Sequence, residues 1–201
     1  MKKTLIISLL FMLCMNAEEK DFYKIFNGKD LTGWIGAKDG YKVTEDGSIA
    51  ALNRKKNIYT EKEYSDFVLR FEFKLDAGAN NGIGIRTPAE GKATLECQIL
   101  DNSSPKYANK KDYQYHGSLY HLVGAKKGFL KPVGQWNVQE ISVIGSKIKV
   151  TLNGTVILDV DMSQLKKQNK GTKRTTGHIA LLGHGAGVYF RNMRIKEVNQ
   201  K

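Results

Sequence analysis

The strongest constraint in this sequence is the alternation of side chains from Phe67 to Leu75. A large apolar residue stands at every second position of this stretch, and charged residues fill most of the positions between them. A period of two is typical of a β-strand with one face on a hydrophobic core and the other in solvent. A helix would spread these apolar side chains around its whole circumference. The stretch therefore predicts a half-buried strand.

Similar patterns continue along the chain. Alternation recurs over residues 141–152, 178–182 and 188–195, and Asn153-Gly154 is a strong signal for a two-residue hairpin. The one helical candidate, Met162–Lys167 introduced by Asp161, is long enough for a single turn. Strands separated by Gly, Asn and Asp turns predict an all-β fold, an antiparallel β-sandwich or jelly roll.

Composition fits one globular domain. The 201 residues are 41% hydrophobic and 26% charged, which argues against a disordered chain and against a multi-span membrane protein. The formal net charge of +12 is spread over many separate lysines. The densest basic run, Lys166–Arg174, lies among Gln, Asn, Gly and Thr, so we interpret it as a solvated loop and expect no nucleic-acid partner.

The first 17 residues have the pattern of a secretory signal peptide. Lys2 and Lys3 precede an apolar run of about ten residues, too short to span a bilayer, and Ala17 precedes the first acidic residues. A buried N-terminal helix is the competing interpretation. Cys14 raises the alternative of a lipoprotein anchor, but Leu13 is bulkier than such a site prefers. We expect cleavage after Ala17, export to the periplasm or beyond, no transmembrane segment, and one domain over residues 18–201.

Cys97 is then the only cysteine of the mature chain, so no intramolecular disulfide can form. It alternates with Leu95 and Ile99, a pattern that favours a small buried hydrophobe over a reactive thiol.

Five segments, in order along the chain, resemble one known family. They are FNGKDLTGW (Phe26–Trp34), NNGIGIR (Asn80–Arg86), LECQILDN (Leu95–Asn102), VGQWNVQEISVIGSKIKVTLNG (Val133–Gly154) and GHIALLGHGAGVYFRNMRIKEV (Gly177–Val198). The family is the 3-keto-disaccharide hydrolase domain, formerly a domain of unknown function. The resemblance implies a concanavalin A-like β-sandwich that is secreted or periplasmic and acts on glycosides whose glucose carries a ketone at C3.

Glu96 and Gln98 are the first candidate site residues. Residues at i and i+2 of a strand share a face about 7 Å apart, so both point away from the face that carries Cys97. Gly82 and Gly84 leave space on the face of Arg86, which makes Arg86 the expected partner of Glu96. A ligand site and a structural polar network both fit this arrangement. We assign Glu96 and Arg86 as catalytic candidates and Gln98 as a substrate-binding candidate.

A second catalytic carboxylate is difficult to find. Asp101 follows Glu96 by five positions, which places the two on opposite faces, and the residues after it are typical of a turn. Retaining glycosidases need two carboxylates about 5–5.5 Å apart.

A 3-keto sugar offers another route, because its ketone acidifies the hydrogen on C2 and a base can then start an elimination. That route needs a base, an electrophile near O3 and an acid near the glycosidic oxygen.

The four histidines are candidate bases: His116, His121, His178 and His184. His121 falls where the resembling family places a segment bordering its site, so it is the catalytic candidate. His184 lies in the glycine-rich GHGAG and is a substrate-binding candidate, although each could be an ordinary surface histidine. Two histidines with Glu96 could instead hold a divalent metal, but no HxH or HxxxH spacing supports this. We therefore assign no cofactor, with a divalent metal as the alternative.

Aromatic side chains could stack on the sugar. Candidates between residues 105 and 136 are Tyr113, Tyr115, Tyr120 and Trp136. Phe26 and Trp34 are expected in the core. Arg191 is a substrate-binding candidate, with a structural ion pair as the equal alternative.

These observations predict an exported enzyme that cleaves 3-keto-glucosides, with a carbohydrate as its partner. A non-catalytic carbohydrate-binding module is the alternative, and it would need the aromatic residues but neither Glu96 nor His121. A structural or adhesion domain would show no groove.

Overall fold

A computed structural model describes residues 20–52, 56–89, 95–166 and 171–198. The expected leader, with Cys14, and residues 167–170 of the basic run lie outside these ranges. Within them, no helix is long and apolar enough to cross a membrane.

The described residues form two antiparallel β-sheets packed face to face. The strands are β1 (Tyr23–Lys24), β2 (Trp34–Gly36), β3 (Tyr41–Val43), β4 (Ile49–Ala51), β5 (Asn57–Tyr64), β6 (Phe67–Leu75), β7 (Asn80–Thr87), β8 (Glu96–Leu100), β9 (Trp136–Ile144), β10 (Lys147–Leu152), β11 (Thr155–Asp161), β12 (Gly177–Leu182) and β13 (Val188–Glu197). Short 3-10 turns occupy Lys38–Gly40, Pro105–Tyr107, Asp112–Gln114 and Met162–Gln164.

The two sheets differ in size. The larger has eight strands in the order β11-β10-β9-β6-β13-β4-β3, with β1 also paired to β13. The smaller has five, in the order β2-β5-β12-β7-β8, so β8 is one of its edge strands. The predicted antiparallel β-sandwich is confirmed.

The core lies between the sheets. The five apolar side chains of β6, from Phe67 to Leu75, are all buried there, as their alternation predicts. Phe26 and Trp34 are buried as expected, and the Trp34 indole N–H donates to the Ile25 carbonyl oxygen at 2.9 Å. Cys97 is also fully buried, and burial raises the pKa of its thiol to about 12. Its assignment as a buried hydrophobe is confirmed.

Two local predictions about turns are also confirmed. Asn153 and Gly154 have φ values of 48° and 85°, the left-handed geometry of a type I′ hairpin, and they join β10 to β11. The short helical candidate forms a single 3-10 turn over Met162–Gln164, where the Asp161 carboxylate accepts the Ser163 N–H at 3.0 Å.

A bulge in β13 explains why its core residues break the period of two. Phe190 and Met193 both face the core although three positions separate them, and the pairing with β6 shifts between Arg191 and Arg194. Asn192 has a φ of 51° at this point. The extra residue at the bulge shifts the alternation by one position, so the Met193 side chain again points into the core.

The segment after β8 folds back against that strand. Gly117 and Tyr120 donate backbone N–H groups to the carbonyl oxygens of Gln98 and Glu96, at 2.8 and 2.9 Å. Residues 117–120 therefore cover the free edge of the smaller sheet and place Tyr120 beside Glu96.

Candidate active site

Glu96 lies on the outer face of the five-stranded sheet. Cys97 and Ile99 point into the core, so Glu96 and Gln98 point away from it, as their spacing predicts. The Glu96 carboxylate lies over Gly82 of the neighbouring strand. A Cβ on Gly82 would overlap this carboxylate and come within 2.7 Å of its Cγ and Cδ atoms. The missing side chain at Gly82 thus makes the space that Glu96 fills.

His184 meets this carboxylate from the turn after β12. Its Nε2 lies 3.1 Å from Glu96 Oε1, with 13% of the Glu96 side chain and 44% of the His184 side chain exposed. The hydrogen bond to Glu96 raises the pKa of His184, and partial burial opposes that rise only in part. The pair therefore joins a shielded carboxylate to an imidazole that solvent can reach.

A cavity of about 580 Å³ opens beside His184. Its lining among the described residues comprises Leu52, Gly78, Asn80, Lys106, Tyr107 and the turn 184–186. The volume lies in the range of small-molecule sites. Asn80, Lys106 and Tyr107 were not predicted from the sequence. Asn80 could have been found by its parity with Gly82, but nothing in the sequence marks Lys106 or Tyr107.

Gln98 and Tyr120 belong to a polar network on the same face. Gln98 is buried, its Nε2 donates to the Gln114 carbonyl oxygen at 3.3 Å, and the Gln114 amide donates to the Tyr120 hydroxyl at 3.1 Å. The Gln98 Oε1 atom is buried and makes no hydrogen bond among the described residues. Of the predicted set, the structure thus joins His184 to Glu96, and it places Gln98 and Tyr120 in a neighbouring network along the same strand and its covering segment.

His121 lies on the same segment but belongs to an aromatic group. Its ring contacts those of Tyr113 and Tyr120, with centroid separations of 5.5 and 4.3 Å. It is exposed, and its φ is 62°. His121 therefore borders the face that carries Glu96 without lining the cavity beside His184. The two remaining histidines, His116 and His178, are buried.

The predicted partnership of Arg86 with Glu96 is wrong. Arg86 pairs with Asp66 at 2.8 Å and donates to the carbonyl oxygens of Ser65 and Gly145. It is 2% exposed. Its φ of 48° coincides with a register shift between β7 and β12, and this bulge interrupts the alternation that would have put Arg86 beside Gly82. Arg86 is a structural residue in a buried ion pair.

Trp136 and Arg191 are also misplaced by the sequence prediction. Both lie on the outer face of the eight-stranded sheet, where the Arg191 guanidinium carbon lies 3.9 Å from the Trp136 ring centroid. Arg191 also pairs with Glu72 at 2.8 Å, which is the kind of ion pair that the structural alternative for this residue describes. Alternation in the sequence shows which face of its strand a side chain occupies, but not which sheet the strand joins. The hydrophobic core lies between these two residues and Glu96.

Tyr115 is buried beneath the loop rather than exposed to a substrate. Its hydroxyl donates to the carbonyl oxygens of Tyr107 and Ala108, at 3.2 and 3.1 Å, and its ring packs with Leu100 and Tyr107. It contacts a separate cavity of about 590 Å³. Tyr115 therefore supports Tyr107, which is the aromatic residue of the cavity beside His184.

Asp101 ends β8 in a turn, as expected. It accepts the N–H groups of Gly78 and Ser103, so it is not available as a second catalytic carboxylate. Across the part of the chain that the structure describes, no group of three or more His, Cys, Asp or Glu side chains is placed to hold a metal ion.

Comparison with known proteins identifies the family. The sequence profile of the 3-keto-alpha-glucoside-1,2-lyase-like domain matches residues 21–196. The chain belongs to this family. A curated relative, the 3-keto-disaccharide hydrolase of Bacteroides thetaiotaomicron, is 26% identical over 225 aligned residues, which cover 87% of this chain and 78% of that protein.

Solved structures of similar proteins have the same fold. A predicted glycosyl hydrolase from Parabacteroides distasonis is 27% identical, with a TM-score of 0.78 over 88% of this chain and 99% of that one. The Bacillus licheniformis β-glucanase is only 10% identical, with a TM-score of 0.59 over 89% of this chain and 97% of that one, a likeness of fold alone. The 3-keto-glucoside family member thus has the predicted concanavalin A-like sandwich.

Proposed function

We propose that this protein cleaves 3-keto-glucosides by removing the proton on C2 and expelling the substituent on C1. The observation that carries the proposal is the Glu96–His184 pair, in which His184 lines the 580 Å³ cavity and Glu96 bonds to it from behind, in a chain of the 3-keto-glucoside family. The pair supplies a proton-transfer group that faces the cavity and a carboxylate that holds it.

His184 is the proposed base. When Glu96 is ionised, Nε2–H of His184 donates to Oε1 of Glu96, and Nδ1 becomes the acceptor. Nδ1 makes no hydrogen bond within the described residues, so it is free to take a proton from substrate. The nearby carboxylate stabilises the imidazolium that forms, which is why the pKa of His184 is raised.

The reaction balances without a second carboxylate. His184 takes the C2 proton, and the electrons of the C2–H bond form an enolate with its charge on O3. The enolate collapses to restore the ketone, a C1–C2 double bond forms, and the C1–O bond breaks with its electrons on the leaving oxygen. Addition of water across C1–C2 then gives the free 3-keto sugar.

The leaving oxygen needs a proton, and His121 is the proposed donor. It is exposed, and it lies next to Tyr120, whose N–H donates to the Glu96 carbonyl oxygen at 2.9 Å. A protonated imidazole is a common general acid in enzymes. This keeps His121 as a catalytic candidate, but the role of base passes from His121 to His184, whose predicted role from the sequence is substrate binding. The proposal also includes export of the protein, which the signal-peptide pattern of the first 17 residues supports.

The direct test compares a 3-keto disaccharide with its unoxidised parent as substrates. Cleavage of the keto form alone, with loss of rate in His184→Ala, is the expected result. Equal turnover of both sugars would contradict elimination. Binding of the keto sugar without turnover would favour the carbohydrate-binding module.

Two further measurements separate the histidine roles. His121→Ala should slow glycosides with poor leaving groups more than those with good ones, because only the former need the proton. Treatment with a chelator should leave the rate unchanged, since Glu96 meets only one histidine within the described chain. Loss of activity that added metal restores would establish the metal alternative.

A further inference from the structure

Lys106 is the one permanently charged side chain among the described residues that line the cavity beside His184. It lies in the 3-10 turn Pro105–Tyr107, and its Nζ atom is 5.1 Å from the centroid of the Tyr107 ring. The Tyr107 ring is itself fixed, because it is buried and its hydroxyl donates to the Gly78 carbonyl oxygen at 3.0 Å. The ammonium group of the exposed Lys106 therefore lies over a fixed aromatic ring at the cavity wall.

No carboxylate in the described part of the chain forms an ion pair with Lys106. Other surface lysines of this protein do have such partners, such as Lys127 with Asp112 at 3.1 Å and Lys149 with Asp159 at 3.4 Å. A cation that lines the same cavity as His184, and that forms no ion pair with the described carboxylates, can interact with negative charge on a ligand.

The proposed reaction develops negative charge at one defined atom. When C2 loses its proton, the charge moves to O3 of the sugar, and a positive group placed in advance near that oxygen lowers the barrier. Neither Glu96 nor neutral His184 can supply positive charge there while His184 acts as the base. The stabilising group must therefore come from another residue of the cavity wall, and a cation there would interact most strongly with the charge on O3.

The geometry points to Lys106 as the electrophile that binds O3 and stabilises the enolate. This assignment rests on the proposed function and adds to it the group that polarises the ketone. It also gives a role to the Pro105–Tyr107 turn, which brings a positive charge to a cavity whose other described lining residues include no lysine, arginine or carboxylate.

The experiment uses Lys106→Met and Lys106→Arg, with Lys110→Met as the matched control. Lys110 also lies over the Tyr107 ring, at 5.9 Å, but it does not line the cavity. Two rates are measured: kcat on a neutral 3-keto disaccharide, and exchange of the C2 hydrogen of 3-keto-glucose in D2O by NMR. The exchange reports enolate formation alone, without the departure of a sugar leaving group.

We expect Lys106→Met to lower kcat and the exchange rate together by about 100-fold, as removal of an oxyanion-stabilising group does. Lys106→Arg should recover part of both rates, and Lys110→Met should match the parent. Thermal unfolding should be alike in all variants, because Lys106 and Lys110 are exposed.

Unchanged exchange in Lys106→Met would overturn the assignment. So would a rise in KM with kcat intact, since that shows a lysine that binds substrate and transition state equally well. If the parent protein cleaves no 3-keto sugar, the proposed function itself fails, and this result is distinct because it requires no variant.

Discussion

Glu96 Oε1 and His184 Nε2 lie 3.1 Å apart although 88 residues separate them in the sequence. Glu96 begins β8 at the sheet edge, and His184 follows β12, with β7 lying between the two strands. The pair can bridge β7 because Gly82 has no side chain where the Glu96 carboxylate lies. The proposed proton transfer depends on this arrangement.

The pH dependence of the enzyme should report the Glu96–His184 pair. A base must be neutral, and the hydrogen bond from Glu96 raises the pKa of His184 above its ordinary value of 6.5. The acid limb of kcat/KM should therefore lie above pH 6.5 and lose activity as the pH falls through it. Glu96→Gln should move this limb to lower pH and reduce the plateau rate by about 100-fold. A folded Glu96→Gln protein with the parent's profile would show that Glu96 is structural.

Gly82→Ala should separate the pair without removing either member. The new Cβ would overlap the Glu96 carboxylate and force it to move, so the hydrogen bond to His184 would weaken. NMR titration should show the pKa of His184 falling back toward 6.5, with a matching loss of turnover. Gly185→Ala is the control, because its Cβ would meet only the Asn80 carbonyl oxygen at 3.9 Å. Equal His184 titration in both variants would contradict the role given to Gly82.

Arg86→Met should lower the stability of the fold and leave kcat unchanged. Removing one member of a buried ion pair typically costs about 3–5 kcal/mol because the other charge stays buried. Asp66→Asn in the same chain should recover part of the loss, since its Oδ1 can still accept the Gly145 N–H. Denaturant unfolding measures the stability, and kcat per folded molecule should match the parent. A fall in kcat without a loss of stability would return Arg86 to the catalytic site.

His116 should make the fold sensitive to acid. Its ring is buried and stacked on Phe73 with centroids 4.9 Å apart, and burial lowers its pKa from 6.5 to about 3. Between these two values the unfolded chain binds a proton that the folded chain does not, so stability falls as the pH falls. The loss from this residue between pH 7 and pH 5 should be about 2 kcal/mol. His116→Phe should remove that part of the slope in unfolding curves measured at several pH values, and a slope equal to the parent's would refute this account.

The sandwich could be predicted because its cause is local. The alternation in β6, the Asn153-Gly154 turn and the single turn after Asp161 each depend on residues within a few positions of one another. The parity of Glu96 and Gln98 is equally local, and the structure agrees with it. The candidate site could be predicted only in part. The sequence shows which side chains of β8 share an outward face, but it does not show which residues of other strands contact them.

The sequence by itself determined which side chains leave the core, and the tertiary structure decided which of them meet. Alternation assigns a residue to a face but not to a sheet, and Trp136 and Arg191 lie on the outer face of the sheet that does not carry Glu96. A single bulge turned Arg86 toward Asp66, and strand order brought His184 rather than Arg86 to Glu96. Periodicity is set by backbone geometry within one strand, whereas contacts between distant residues depend on sheet order and loop paths, which the free energy of the whole packed chain selects.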